Sequence, residues 1–453
     1  MNQRRSRKFH KQISPVRVLL LFYFFAVIIS AFVLSLPIVH QDGVEVSFID
    51  HLFTAVSAIS VTGLSTVTIS DTYNTLGIIS IAIILQLGAV GVMAIGTFIW
   101  LLLGKKIGIT ERELIKTDQN QTTFSGMVQL IRDIIFLLVI IEIIGFVVLS
   151  TYYLTVFPTA KEAYMHSFFA VISAFSNGGF DITGNSLMSF QNDYFVQSIH
   201  MLLIIFGAIG FPVLIEVKDF LQTSRPQKRL FRFSLFTKLT TTTFFALILI
   251  GTLLIYLLDA KQYFIGGTWH SYLFDALFQS VTTRSGGLST IDITELSTQN
   301  HLLMSLLMFI GASPSSAGGG IRTTTFALVV IFIITYARGG KSLRIFNREV
   351  YDEDLMKAVT VTLMAIILVY VSTFIMSIYE PFSLLAIVFE VTSAFGTVGL
   401  SFGITSELTN ISKIILMLLM FIGRVGIISF MFMFKNNSEL GRYNYPKERI
   451  NIG

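Results

Sequence analysis

Cysteine is absent from the chain, which excludes disulfides, thiolate catalysis and cysteine-ligated metal centres. Charge is scarce as well. Asp, Glu, Lys and Arg make up 13% of the residues, against about a quarter in soluble chains. The seven histidines stand apart, with no H-E-x-x-H spacing, so a histidine metal centre is not indicated. His40, His51, His166, His200, His270 and His301 fall near the ends of apolar runs. The plain reading there is an interfacial side chain, and the alternative is a pore-mouth or metal role. What fills the 453 residues is apolar: 53% are hydrophobic, and 42 are phenylalanine. Such a chain is expected to be an all-α polytopic membrane protein. No catalytic constellation is legible, so no enzyme activity and no covalently bound cofactor are expected.

The apolar runs repeat. A span at 16–39 is followed by a short apolar stretch at 48–60, too short to cross, and a second span at 76–103. The same unit returns at 127–157, 163–176 and 194–221, at 235–258, 272–283 and 301–336, and at 355–379, 382–395 and 411–434. A fixed internal period sets the architecture. It predicts four repeats of span, re-entrant helix and span, in a pseudo-fourfold arrangement around one pore. Their limits are 16–103, 127–222, 235–336 and 355–434, between an N-terminal tail (1–15) and a C-terminal tail (435–453).

Charge tests this order independently. Each unit crosses the membrane an even number of times, so all four share one orientation. The inter-repeat loops carry Lys105, Lys106, Arg112 and Lys116, then Arg225, Lys228, Arg229 and Arg232, then Arg338, Lys341, Arg344 and Arg348. The termini add Arg4, Arg5, Arg7 and Lys8, and Lys435, Arg442, Lys447 and Arg449. The opposite side carries almost only Lys161 and Lys261 among acids such as Asp42, Asp50, Asp71 and Glu407. Basic segments stay inside. Both termini are therefore expected in the cytoplasm, and the short helices on the outer face. The net charge of +5 follows this topology and implies no nucleic-acid partner.

Each short helix ends in a glycine turn. Val61-Thr62-Gly63, Asn177-Gly178-Gly179, Ser285-Gly286-Gly287 and Thr397-Val398-Gly399 fall in register. A re-entrant helix points its partly negative C-terminus at the membrane centre, which favours a cation there. The chain that returns from it presents carbonyls, and carbonyls can replace the hydration shell of a monovalent cation. No carboxylate stands among these twelve residues, so a divalent ion is disfavoured. A single in-register glycine without G-Y-G predicts a short filter. The bland reading is four ordinary loop glycines. Four in register, each behind a helix too short to span, tell against it.

The second span of repeat three is interrupted by Gly311, Ala312, Ser313, Pro314, Ser315, Ser316, Ala317, Gly318, Gly319 and Gly320. Proline and consecutive glycines cannot sustain a helix. A phosphate cradle does not fit, because the G-K-[ST] ending is missing. The segment reads as a bendable intramembrane loop that would block ions below the filter. Arg424 lies inside the last span, where a charge normally faces a cavity or a partner. Either it is packed against helix carbonyls, or it holds the loop 311–320 shut. Arg284 is expected to brace the third turn, and Glu142, Glu216 and Glu390 to anchor neighbouring repeats.

With its four units, the T-V-G-L-S form at Thr397–Ser401 and the loop in repeat three, the chain resembles the Trk/Ktr/HKT superfamily of potassium transporters over its whole length. The resemblance implies potassium selectivity, because all four in-register positions are glycine; some members with serine in the first repeat carry sodium. A chain of this size without an added domain looks most like the membrane subunit of bacterial Ktr systems. That likeness implies a multi-pass protein of the bacterial cell membrane, a homodimer in which each monomer keeps its own pore, and a cytoplasmic ring that binds adenine nucleotides. It also implies that the C-terminal tail joins the dimer contact. The basic inner loops suit such a ring and anionic lipid equally. The alternative function is a sodium-coupled or other secondary transporter of a small solute. Parallel repeats and turns without carboxylates argue against it.

Overall fold

The computed structural model describes residues 15–91, 94–95, 112, 127–224, 231–260, 263, 268–340, 342–433, 446 and 448. Residues 1–14, nearly all of the C-terminal tail, most of the loop 92–126 and the basic stretch 225–230 lie outside them, and so do the expectations for the tails. Repeat one comprises α1 (Pro15–Leu34), α2 (Phe48–Ser60), the single turn α3 (Ile69–Thr72) and α4 (Thr75–Val90). Repeat two comprises α5 (Met127–Tyr153), α6 (Ala160–Ser176), α7 (Tyr194–Ala208) and α8 (Phe211–Gln222). In repeat three they are α9 (Leu235–Asp259), α10 (Trp269–Thr282), α11 (Thr298–Ile310) and α12 (Thr323–Ala337). Repeat four follows with α13 (Asp352–Tyr379), α14 (Leu384–Gly396), α15 (Asn410–Val425) and α16 (Ile427–Met433). A two-residue hairpin, Arg344–Ile345 with Arg348–Glu349, precedes α13. The protein is thus an all-α polytopic membrane protein.

Among the described residues, α1, α5, α9 and α13 are the four helices long and apolar enough to cross a membrane alone. They turn Phe24, Ile144, Leu249 and Ile367 outward, which suits lipid rather than water. The short helices do the opposite. In α2 every residue from Phe53 to Ser60 is buried, and α14 is buried from Phe389 to Gly396. Their starts are fixed by side-chain caps: Ser47 accepts from the Asp50 N–H, Thr159 from Glu162 and Ser383 from Ala386. Each cap satisfies one of the donors that a helix start leaves orphaned.

The packing runs head to tail. α4 packs on α6, α7 on α10, α11 on α14 and α15 on α2. Each repeat thereby leans its second helix on the short helix of the next, and the last contact closes the circle. Within every repeat, a polar clasp ties the end of the first span to the start of the second. Asn74 donates to the carbonyls of Ile38 and His40, and the Tyr152 hydroxyl to Asp193. Asp259 accepts from the Ser297 N–H, and Glu380 from the Thr409 N–H.

The second spans depart from expectation. The sequence predicts a break in repeat three only, yet all four are broken. α4 stops at Gly91 (φ 95°, ψ 134°), α7 gives way to α8 at Gly210 (φ 102°, ψ 129°), and α15 to α16 at Gly426 (φ 92°, ψ 140°). The bend between α7 and α8 is 102°. One glycine in an apolar run is usually tolerated by a helix. At positive φ it leaves the helical region altogether, and the ladder stops there.

Candidate functional site

The four turns share one backbone device. The residue two before each in-register glycine is left-handed, and so is the glycine. The pairs are Val61 (φ 56°) and Gly63 (95°), Asn177 (58°) and Gly179 (64°), Ser285 (80°) and Gly287 (75°), and Thr397 (47°) and Gly399 (98°). Alternating the hand along the chain turns neighbouring peptide planes so that their carbonyls point to one side. Sequence reasoning credited the glycines alone. Val61 and Thr397 are β-branched, for which a left-handed conformation is costly. What holds them is a shared helix ending. The N–H of Val61 bonds Ala58 O at 3.1 Å and that of Thr62 bonds Ser57 O at 2.8 Å. Asn177 and Gly178 repeat this on α6, and Thr397 and Val398 on α14. These bonds satisfy the last carbonyls of each short helix. Repeat three ends differently: Thr283 stays right-handed, and the Gly286 N–H returns to Thr282 O at 2.7 Å.

A hydroxyl from each short helix brackets the chain as it leaves the turn. The N–H groups of Gly63 and Gly399 donate to Ser57 Oγ and Ser393 Oγ, both at 3.1 Å. Ser173 Oγ donates to Phe180 O, and Thr282 Oγ1 to Leu288 O.

The glycines meet. A Cβ placed on Gly63 would lie 2.7 Å from Gly179 Cα, and one on Gly179 would lie 3.0 Å from Gly287 Cα. A Cβ on Gly399 would lie 3.1 Å from Gly63 Cα, and one on Gly287 would strike the Val398 carbonyl. The ring therefore closes in the order of the repeats, and at this separation no side chain fits. Above it opens a cavity of about 520 Å³ whose floor includes all four glycines. Its walls carry Asp181, Asp292, Ser401 and Thr405. Among the described residues, no group of three or more metal-ligating side chains is present.

The loop 311–320 lies directly beneath. Ser285 Oγ donates to Thr397 O at 2.5 Å and accepts from the Gly319 N–H at 3.4 Å. The loop so touches the third and fourth turns from below. Repeat two supplies backbone partners: Ser313 N–H to Ala208 O, Ala317 N–H to Gly207 O, and Phe211 N–H to Ser315 O. Arg424 is buried and donates to the loop carbonyls of Ser316 and Ala317. Its other arm donates to the Gly88 and Ala89 carbonyls. Those are last-turn carbonyls of α4, orphaned because that helix stops at Gly91. Arg424 thus bonds the helix carbonyls of α4 and the carbonyls of the loop together.

Arg284 is fully buried, but its guanidinium donates to Leu307 O on α11. It braces the helix that leads into the loop rather than the third turn itself. Glu142 accepts from Gln86 and joins repeats two and one. Glu216 accepts from the Ser234 N–H at 3.0 Å and joins repeats two and three. Glu390 does not anchor a neighbour; it bonds Ser401, Phe402 and Thr405 of its own repeat.

Arg322 escaped sequence reasoning. It starts α12 with φ 80° and ψ 144°, close to the values of Gly91, Gly210 and Gly426. It is the counterpart of those glycines in repeat three. Its Nη1 donates to Ser313 O at 3.1 Å and to Gly318 O, so the same residue that bears the backbone strain also threads the loop. The signal in the sequence was an arginine two residues past G-G-G in an apolar span.

The chain matches the family model of TrkH, a cation transport protein, over residues 24–444. It is similar to Ktr system potassium uptake protein D of Bacillus subtilis (strain 168), with 53% identity over 446 residues, 98% of this chain and 99% of that one. Ktr system potassium uptake protein B of the same strain is 36% identical over 444 residues, 97% of each chain. The crystal structure of the potassium transporter TrkH from Vibrio parahaemolyticus matches with a TM-score of 0.73, over 95% of this chain and 86% of that chain. At 16% identity that likeness speaks to the fold.

Proposed function

The chain belongs to the TrkH family of cation transport proteins and is a multi-pass potassium transport protein of the bacterial plasma membrane; from that premise we propose how it works. The four turns are the selectivity filter. Carbonyls of Val61, Thr62, Gly63, Asn177, Gly178, Gly179, Ser285, Gly286, Gly287, Thr397, Val398 and Gly399 take the place of the water around a potassium ion. The observation that carries this is the closed ring of glycines with left-handed residues two positions before them. It leaves room for backbone oxygens and none for side chains. The loop 311–320 with Arg424 is the gate. It sits in the ion's path, and a fixed cation beside it repels a second one. Opening requires the loop to leave Arg424, Arg322 and the α7–α8 junction together.

The basic inner loops and both termini face the cytoplasm. A homodimer on a nucleotide-binding regulatory ring, akin to the cytoplasmic partners of Ktr systems, supplies the force for opening, with anionic lipid at the same basic surface. The test is growth of a potassium-uptake-deficient bacterium on low potassium, with the regulatory partner supplied. The chain is expected to rescue growth, and Gly63→Ser to raise sodium permeation relative to potassium at least several-fold. Absence of rescue sinks the transport mechanism; unchanged sodium discrimination in the variant sinks the filter assignment.

A further inference from the structure

Two positions past each in-register glycine stands a polar residue: Ser65, Asp181, Ser289 and Ser401. All four line the wall of the outer cavity. Ser65 and Ser289 spend their hydroxyls on their own loops, and Asp181 spends Oδ2 there. Ser65 Oγ donates to Val67 O, and Asp181 accepts from the N–H groups of Thr183, Gly184 and Ser186. Ser289 Oγ donates to Ile291 O and accepts from Gln279 Nε2 at 2.8 Å.

Repeat four differs. Behind Ser401 lies Glu390, fully buried on α14. One of its oxygens accepts from Ser401 Oγ and from the Phe402 N–H at 3.1 Å. The other accepts from Thr405 Oγ1 at 3.0 Å. Ser401 Oγ and Thr405 Oγ1 are also 2.9 Å from each other. Three contacts thus share the hydrogens of two hydroxyls, and each hydroxyl has only one to give. With both directed at Glu390, the two hydroxyl oxygens face each other lone pair to lone pair. The Gly403 N–H fills one lone pair on Ser401, at 2.8 Å. The rest have no donor among the described residues, and both side chains border the cavity above the turns.

We infer that Glu390 is a positioning residue for a cation site in the outer vestibule, in which Ser401 Oγ, with Thr405 Oγ1 behind it, replaces water on an incoming monovalent cation. This rests on the filter reading above. By drawing both hydroxyl hydrogens inward, Glu390 leaves the lone pairs of Ser401 Oγ, at the cavity wall, and of the buried Thr405 Oγ1 behind it, to accept a cation. A cation relieves the oxygen–oxygen repulsion that the contacts create. Hard oxygen donors with one carboxylate behind them suit a singly charged ion of the alkali series. The site is one-sided, so a cation is received on the repeat-four wall before it moves onto the axis.

The test is rubidium uptake by cells carrying the full chain with its regulatory partner, measured against external rubidium. Glu390→Gln puts amide hydrogens where one carboxyl oxygen accepted. It is expected to raise the half-saturating concentration at least fivefold, with the maximal rate within about twofold and rubidium-over-sodium preference kept. Thr405→Val removes one ligand without touching the carboxylate, and is expected to raise it about two- to threefold. An unchanged half-saturating concentration in both variants overturns the inference. So does a fall in maximal rate alone, which marks a structural or gating role. If Glu390→Gln fails to reach the membrane, Thr405→Val decides by the same two readings. Failure here leaves the filter assignment standing, since that is read from sodium discrimination in Gly63→Ser.

Discussion

The ring of turns and the layer beneath it are built on opposite plans. In the ring, four different triplets adopt one backbone pattern, and three of four share the same helix ending. In the layer beneath, one backbone pattern recurs at four breaks, but its consequences differ in every repeat. Gly91 ends α4 and leaves carbonyls for Arg424. Gly210 bends its span by 102° and docks the loop. Gly426 only interrupts. In repeat three the break swells into the loop, and an arginine sits where the others have glycine. In the proposed filter, a cation on the axis needs equal oxygens from all sides, which calls for a near-symmetric ring. The proposed gate needs one moving part with firm partners around it, which calls for an asymmetric layer below.

Removing the firmest partner should expose that difference most. In Arg424→Ala the carbonyls of Ser316, Ala317, Gly88 and Ala89 lose their charged donor. Each buried carbonyl left unpaired costs about 1–3 kcal/mol, and about 1.4 kcal/mol is tenfold in a population. Uptake without the regulatory partner is expected to rise at least tenfold, while potassium-over-sodium preference stays within about twofold. Selectivity falling in step with the leak would erase the separation between ring and gate.

A second test concerns strain. Left-handed extended backbone at a non-glycine residue costs about 1–3 kcal/mol. Arg322→Gly removes that strain and the guanidinium bonds to Ser313 and Gly318 together, two changes of opposite sign and similar size. Arg322→Ala loses the bonds and keeps the strain. The glycine variant is therefore expected to melt close to the parent, and the alanine variant lower by the equivalent of about 1–3 kcal/mol. Both are expected to leak to a lesser degree than Arg424→Ala, since Arg322 bonds the loop only within its own span, whereas Arg424 also bonds α4. Equal melting of the two variants would mean that repeat three does not share the break of the other three.

These two arginines also mark what the sequence could and could not convey. Apolar length and four glycines in register are statements about composition and spacing, and they carried through to helices α1, α5, α9 and α13 and to the converging turns. Arg424 was visible because a charge inside an apolar run has few explanations. The breaks at Gly91, Gly210 and Gly426 were not visible, because a lone glycine in a span is compatible with a continuous helix. Pro212, two residues past Gly210, was the one local hint. Arg322 was hidden for a deeper reason: its significance lies in φ and ψ, and these follow from the neighbouring repeats that fix both of its flanks. The left-handed Val61 and Thr397 were hidden in the same way, by a conformation that their own side chains disfavour and that the hydrogen bonds of α2 and α14 impose.

The finest test sets Ser57 against Ser285, two serines at the level of the turns. Ser57 Oγ only accepts the Gly63 N–H at 3.1 Å, so its loss touches the ring alone. Ser57→Ala leaves one N–H without its partner, a cost of about 1 kcal/mol. It is expected to weaken potassium-over-sodium preference about two- to fivefold, with no leak. Ser285 Oγ joins the ring to the loop, donating to Thr397 O and accepting from Gly319. The loop bond is long at 3.4 Å, so its loss in Ser285→Ala should loosen the loop only slightly, while losing the bond to Thr397 O costs about 1 kcal/mol. Ser285→Ala should change two readings where Ser57→Ala changes one: a small loss of preference and a small partner-independent leak. In the double variant the losses of preference should add, because the serines lie in different repeats and share no partner. A leak in Ser57→Ala would show that the ring deforms as one body with the gate, and that its near-symmetry serves opening as well as selection.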